Sequence, residues 1–316
     1  MRSLSARRAA IIYNPVARGL SRNKRALEST PALLAKSGIE ACLVPTVSPG
    51  SAGPQAREQI QAGCDLIIAA GGDGTINEVI DGMRGSSVAL AILPGGTANV
   101  LAREIKMPVN LARAAARIAS LESCRIALGA LRLTGSRNRS FVCMTGVGLD
   151  AEIVSRINLD LKAAAGKLAY YACGFSQVFR PISEFQVTVD GKPFLASFAL
   201  VSRVRNYGGD LEIARGASLL RDDFEIVLFQ GTASVQYLGY LAAVLARQIH
   251  RSPGCTVLYG RSLQFEPPAG QNVFVQVDGE LAGNLPASIE LLPDALTLLV
   301  PPEYLAREQA HVKLPA

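Results

Sequence analysis

The chain has 316 residues, a formal net charge of +6, 49% hydrophobic and 18% charged residues. That balance excludes a disordered chain and leaves room for two domains with substantial cores. The longest apolar candidate, residues 237–246, is about half of a bilayer span and runs into Arg247, which excludes a chain built of membrane helices.

Cys42, Cys64, Cys124, Cys143, Cys173 and Cys255 are scattered with no close pair, which argues against a zinc site and against a disulfide framework. Reduced, mostly buried thiols are expected. The only histidines, His250 and His311, lie in no recognisable setting, which argues against a serine–histidine triad or a histidine-rich metal centre and leaves a carboxylate as the expected group for proton transfer. Basic residues crowd the start, from Arg2 to Arg25, and could attract an anionic membrane surface or a polyphosphate, although a solvated face is the commoner explanation. Aromatic residues make up 6% of the chain and none interleaves with this group, so nucleic acid is not an expected partner.

In chain order, a first strand is predicted over residues 8–13; the apolar part, 9–13, is too short for a signal-peptide core, and a cytoplasmic protein is expected. Asn14-Pro15 and Ala17-Arg18-Gly19 end that strand. A helix fits 22–36, a strand 39–44, a turn-rich loop with Thr46 and Ser48 residues 45–54, and a helix 55–62. The organising stretch follows at 65–78, DLIIAAGGDGTINE: an apolar strand over 66–70, a turn with Gly71, Gly72 and Gly74, and a helix from Thr75 to 83. Absent Cβ atoms let a polyanion approach the main chain, and the helix start offers free N–H groups with the positive end of its dipole. Asp73 beside phosphates calls for a divalent metal between them. The plainer reading is a strand-to-helix turn capped by Asp, Thr and Asn. A fourth strand at 88–93 then meets Pro94-Gly95-Gly96-Thr97, with a helix beginning near Ala98.

Alternating strands and helices predict a parallel sheet with ligands at the carboxyl ends of its strands. Three small-residue turns, 14–19, 71–75 and 95–99, then lie on one edge and can surround a nucleotide, with Thr97 and Asn99 as donors. No Gly-Lys-Ser/Thr triplet is present, so the usual phosphate-gripping lysine is missing.

From about residue 127 the period changes to two, with strands predicted over 141–145, 185–189, 194–201, 225–229, 273–277 and 296–300. Helices are predicted at 151–157, 167–179 and 234–249, the last apolar on most faces and suited to a core, with lipid as the alternative. Gly146-Val147-Gly148-Leu149-Asp150-Ala151 imitates a dinucleotide fingerprint without the βαβ unit it requires. Val277-Asp278-Gly279-Glu280 reads as a hairpin turn that also fixes the direction of a carboxylate able to take a proton from a substrate hydroxyl.

Together these motifs resemble the soluble bacterial diacylglycerol and lipid kinases, which share a catalytic domain with sphingosine and ceramide kinases. The resemblance rests on Asn14-Pro15, Thr46, the run Gly71 through Glu78, Pro94 through Asn99, Gly146 through Ala151, Tyr207-Gly208-Gly209 and Asp278-Gly279-Glu280. It implies an α/β fold: an N-terminal parallel-sheet nucleotide-binding domain at 1–126, rejoined by a return segment at about 291–316, and a C-terminal antiparallel, sandwich-like lipid-binding domain at 127–290. It implies ATP and Mg²⁺ as cofactors, Asn14, Thr46, Gly71, Gly72, Asp73, Gly74, Thr75, Ile76, Asn77, Thr97 and Asn99 against the nucleotide, and Glu280 with Asp73 as the catalytic carboxylates.

The implied partner is a lipid substrate, most plausibly diacylglycerol, met by peripheral contact at the inner membrane; a homodimer is one option for an oligomeric state that the sequence leaves open. Two departures stand out. Arg215 replaces a family proline and Leu220-Arg221-Asp222 replaces Asp-Asp-Gly in a loop that holds a structural Mg²⁺ in some members, and Val100 replaces an Asp. The rivals are an NAD kinase, which shares the Gly-Gly-Asp-Gly-Thr turn, and a catalytically silent nucleotide-binding regulator.

Overall fold

The structure is a computed structural model, and it describes residues 8–135, 138–149, 151, 182–208 and 211–312. The chain forms two compact units: Met1–Leu128 with Ser218–Arg221 and Leu292–Ala316, and Gly129–Ala217 with Asp222–Leu291.

In the first unit, strands β1 (Arg8–Tyr13), β2 (Glu40–Pro45), β3 (Leu66–Gly71) and β4 (Ala89–Pro94) lie parallel in the order β2-β1-β3-β4. The end of β18 (Ala287–Val300) joins β4 in parallel through Thr297 and Leu298. Every residue of β3 is buried, as a strand covered on both faces requires. Helices α1 (Arg18–Arg22), α2 (Lys24–Ala35), α3 (Ala52–Gln61), α4 (Asp73–Met83), α5 (Val100–Glu104) and α6 (Leu111–Arg117) fill the connections. The closing helix of the chain, α8 (Pro302–Val312), is tied to this unit by Arg307, which pairs with the buried Glu104 at 3.5 Å, and by Arg117, whose two Nη atoms reach both oxygens of Glu303 at 2.6 and 2.9 Å.

Two helix starts differ from expectation for a reason that lies far away in sequence. The α3 helix begins at Ala52, three residues earlier than predicted, because the Glu78 carboxylate accepts from the backbone N–H of Gly50 at 2.9 Å and Ala52 at 3.2 Å. The α4 helix begins at Asp73 and not at Thr75. These two helices touch at Gly53 and Gly82: a Cβ on Gly53 would stand 2.7 Å from the Glu78 carbonyl oxygen, so a larger residue there would force the helices apart.

The second unit is antiparallel. One sheet has the order β14-β13-β10-β7-β16-β17, from β7 (Met144–Gly148), β10 (Phe198–Ser202), β13 (Phe224–Phe229), β14 (Cys255–Gly260), β16 (Phe274–Val277) and β17 (Glu280–Asn284). A second set pairs the first half of β18 with β15 (Ser262–Glu266), β8 (Phe185–Val189) and β9 (Lys192–Ala196). The end of β5 (Glu122–Leu133) pairs with β6 (Arg139–Phe141), and β11 (Asn206–Tyr207) with β12 (Leu211–Glu212). Alternate residues of both sets, among them Val187, Phe265, Ile289, Val201, Ile226 and Val275, share one buried core, the arrangement of a β-sandwich. A parallel nucleotide-type sheet followed by antiparallel sheets is the fold class predicted.

Boundaries in this half are less well anticipated. The strand predicted over 141–145 is the end of β6 and the start of β7, and that over 194–201 is β9 and β10. The latter breaks at Ser197, whose buried hydroxyl donates toward the Phe229 and Gly231 carbonyls at 3.1 and 2.7 Å. Strands β14, β15 and β17 were not predicted. The helix predicted at 234–249 ends earlier, as α7 (Ser234–Leu245), followed by a 3₁₀ turn at Ile249–Arg251. The predicted helices at 151–157 and 167–179, together with Asp150, Cys173 and Gly209, lie outside the described residues. Among the described residues no helix is long and apolar enough to cross a membrane.

Candidate active site

The three glycine turns converge because the parallel register of β1, β3 and β4 brings their ends level, Tyr13 opposite Ala70 and Gly71 opposite Pro94. Main-chain bonds then knit the turns together. Asn14 N–H donates to the Ala70 carbonyl at 3.2 Å, Gly95 N–H to Gly71 at 2.7 Å, and Gly19 N–H to Gly95 at 3.0 Å. Thr46 joins the same edge, its N–H donating to the Tyr13 carbonyl at 2.8 Å.

The glycines also set how closely the turns pack. A Cβ on Gly96 would stand 2.5 Å from the Gly72 Cα, one on Gly95 would stand 2.6 Å from the Leu20 Cγ, and one on Gly71 would meet the Thr75 side chain at 2.8 Å. Their small size lets the turns press against each other. Gly96→Ala is therefore expected to cost about 1–3 kcal/mol of stability, because its obstacle is backbone and not a mobile side chain. Urea unfolding of the variant beside the wild type measures this.

Asp73 ties two of the turns together. Its carboxylate accepts the N–H of Asn99 at 2.9 Å and of Val100 at 2.6 Å, and so caps α5 from the neighbouring turn. Burial pushes the Asp73 carboxyl above the usual range, and the backbone N–H groups of Val100 and Asn99 pull it back down in part. Asn99, in the left-handed region at φ 49°, uses its own amide locally: Oδ1 accepts from Gly96 N–H and Nδ2 donates to the Gly96 carbonyl, both at 2.8 Å. Its amide is thus occupied within its own turn. Asn14 is similar, its Oδ1 accepting from Val16 N–H at 3.0 Å. Ile76 and Asn77 are buried on the inner side of α4.

What faces outward on this edge is the first turn of α4, Asp73 to Thr75, whose N–H groups have no intrahelical partner, together with the exposed Thr97 and the half-buried Thr46. An N-terminus of this kind is suited to a phosphate.

A protein-held metal fits less well. Among the described residues no group of three or more His, Cys, Asp or Glu could hold an ion, and both Asp73 oxygens already serve backbone N–H groups. An ion brought in by a nucleotide would rely on phosphate oxygens and water. The loop at 215–223 is equally unsuited. Arg215 donates to the Arg247 carbonyl at 3.1 Å, and the fully buried Arg203 donates to the Asp223 carbonyl at 3.2 Å, so the loop is held by guanidinium groups, which cannot ligate a cation.

In the second unit, Asp278 and Gly279 form a two-residue hairpin turn with φ of 48° and 84°, and Val277 pairs with Glu280 across it. Asp278 anchors the turn to β7, accepting Met144 N–H at 2.8 Å. Glu280 emerges half exposed, and Arg139 Nη2 meets its Oε2 at 2.9 Å. Sequence reasoning missed Arg139, as it missed Glu78, since both reach their partners across long stretches of chain. The dinucleotide imitation at 146–151 is settled by topology: β7 is flanked antiparallel by β10 and β16, and a Cβ on Gly148 would collide with the Ser197 carbonyl.

Comparison with known proteins agrees with this architecture. Residues 8–131 match the diacylglycerol kinase catalytic domain, and residues 143–300 match the YegS C-terminal NAD kinase beta sandwich-like domain. A protein of Bacillus subtilis (strain 168) named diacylglycerol kinase is 28% identical over 304 residues, 94% of this chain and 97% of the relative. One of Staphylococcus epidermidis (strain ATCC 12228 / FDA PCI 1200), of the same name, is 26% identical over 307 residues, 96% and 95% of the two chains. The crystal structure of a diacylglycerol kinase from Bacillus anthracis str. Sterne has the same fold, with a TM-score of 0.77 at 23% identity over 95% of this chain and 99% of that one. With its knitted glycine turns inside the first match and its Glu280 hairpin inside the second, this chain belongs to the diacylglycerol kinase-like family of lipid kinases.

Proposed function

We propose that this chain moves the γ-phosphoryl group of ATP, in the presence of Mg²⁺, to the hydroxyl of a membrane lipid, with diacylglycerol as acceptor and phosphatidic acid as product. The observation that carries the reading is the level, hydrogen-bonded convergence of three turns around the free N–H groups of α4, in a chain whose relatives are named for this activity. When bound with the nucleotide, Mg²⁺ would supply charge neutralisation at the phosphates. The α4 N-terminus holds phosphate oxygens, and Thr46 and Thr97 offer hydroxyl donors at the same edge. The lipid oxygen attacks the γ-phosphorus, the bond to the ADP oxygen breaks, and the hydroxyl proton passes to the Glu280 carboxylate. Arg139 holds that carboxylate in direction by their 2.9 Å pair. The acceptor is met by peripheral contact with a bilayer.

Transfer of radiolabel from γ-labelled ATP to a panel of lipids in mixed micelles tests the reading, and labelling of diacylglycerol above the other lipids is the expected result. The match of the second half to an NAD kinase beta sandwich-like domain favours one second reading, NAD as acceptor. Including NAD in the panel separates the two, and ATP binding by calorimetry without turnover of any acceptor would instead identify a silent regulator.

A further inference from the structure

The α7 helix has two unlike faces. Its inner face is fixed by tyrosines: Tyr240 donates to the Gln230 carbonyl at 2.8 Å and packs edge-on against the Phe229 ring at 5.1 Å, while the Tyr237 and Ser197 hydroxyls meet at 2.8 Å. Its outer face carries no charge. Leu238 is 39% exposed and Leu245 66% exposed, with Ala242 and Ala246 exposed beside them at the i, i+4, i+7, i+8 spacing of one helical stripe. Tyrosine bonds on the inner side hold this stripe outward, so the leucines cannot roll into the core.

Guanidinium groups gather where the stripe ends. Arg247, 73% exposed, follows the last turn, Arg215 donates to the Arg247 carbonyl at 3.1 Å, and Arg205 donates to the Arg215 carbonyl at 3.3 Å. Arg251 is exposed in the next turn. Glu212, at 3.6 Å from Arg247 and 3.9 Å from Arg215, offsets one of these charges and leaves the group positive. Lone arginines at a helix C-terminus are ordinary dipole partners. Several of them around one uncharged, exposed apolar stripe make the pattern of a helix lying in a bilayer interface, with side chains for the acyl boundary and cations for lipid phosphates.

We propose that the outer stripe of α7, with Arg215, Arg247 and Arg251, is the surface by which this chain docks on an anionic bilayer. The proposal rests on the reading that the phosphoryl acceptor resides in a membrane, and it assigns an element to that encounter. The bilayer is favoured over a protein partner because the charge complements a sheet of phosphates and the stripe from Leu238 to Ala246 consists of small and aliphatic groups, with no polar side chain among them to specify a protein.

The test is co-sedimentation of the full chain with vesicles of equimolar phosphatidylglycerol and phosphatidylcholine, or of phosphatidylcholine alone. Wild type is expected to partition onto the anionic vesicles, more weakly as salt rises. Leu238→Gln/Leu245→Gln and Arg215→Gln/Arg247→Gln should each lower that partition about tenfold or more, the leucine pair at every salt concentration and the arginine pair chiefly at low salt. Both variants should keep the wild-type near-ultraviolet circular dichroism and, on a short-chain acceptor in detergent, the wild-type turnover. Wild-type partition in the leucine variant, or no binding of wild type to either vesicle, overturns the proposal. A wild-type dimer that the leucine variant converts to monomer overturns it too, since the stripe would then belong to a second copy. If vesicle binding follows the expected pattern while no lipid is ever phosphorylated, the docking surface stands and the kinase reading falls.

Discussion

Glu280→Gln is expected to lower turnover of a lipid acceptor by about 10²–10⁴-fold, the range for loss of a positioned proton acceptor. The substitution is isosteric and keeps an oxygen that can accept from the lipid hydroxyl, but it cannot take the proton. Stability should scarcely change. The Glu280–Arg139 pair is partly exposed, with side chains 51% and 28% accessible, and ion pairs so placed contribute about 0–1 kcal/mol. A rate loss of the expected size corresponds to about 3–5 kcal/mol in the barrier, so unfolding could not account for it. Measuring kcat alongside the thermal midpoint separates the two, and an unchanged kcat would remove Glu280 from the reaction.

Arg139 extends the same argument. It stands in β6 opposite Leu131 and reaches Glu280 at the hairpin, so on the proposed function it would aim the carboxylate without touching the reacting atoms. Arg139→Gln should lower kcat about tenfold with KM for ATP unchanged, because misdirection of an acceptor is felt in the transition state. Arg139→Lys should restore part of the rate. A purely structural arginine would instead lower the thermal midpoint and leave kcat alone.

What could be read from the chain depended on how local the cause was. The strands β1, β3 and β4 were legible because apolar runs end in glycine turns, and the Asp278-Gly279 hairpin because a two-residue turn with positive φ at both positions demands those residue types. Convergence of the three turns was legible from the parallel rule. The work done inside the site was not. Glu78 sits in the most conspicuous motif of the sequence, yet its function is to hold the start of α3 through Gly50 and Ala52. Asn99 reads as a ligand donor, and its bonds to both the N–H and the carbonyl of Gly96 could not be foreseen. Such bonds depend on which turn lies beside which, and that is fixed only when the sheet has formed. β14 and β15 escaped because Cys255–Gly260 and Ser262–Glu266 follow each other with a single residue between them and together read as one irregular segment.

Asp73 carries the second large effect. Its two oxygens serve the N–H groups of Asn99 and Val100, so Asp73→Ala leaves two donors at the start of α5 without their acceptor and unties the 71–75 turn from the 95–99 turn. A loss of about 1–3 kcal/mol in stability is expected. On the proposed function, affinity for ATP should fall further than that, since α4, whose first N–H groups would receive the phosphates, starts at this same residue. Asp73→Asn keeps one acceptor and should be intermediate.

The pH dependence gives this assignment an independent check. Because burial raises the Asp73 carboxyl, the folded chain holds its proton more tightly than the unfolded chain. The stabilising contribution of that proton is complete below the unfolded carboxylate value of about 4, and it is lost as pH rises through the raised folded value. Asparagine has nothing to titrate there. Unfolding free energies of wild type and Asp73→Asn, followed from about pH 4 to neutrality, should therefore show the variant at its greatest disadvantage in acid and closing on wild type as the pH rises. A gap that widens toward neutrality would mean that the carboxylate is favoured in its ionised form, and that the N–H groups of Val100 and Asn99 outweigh its burial.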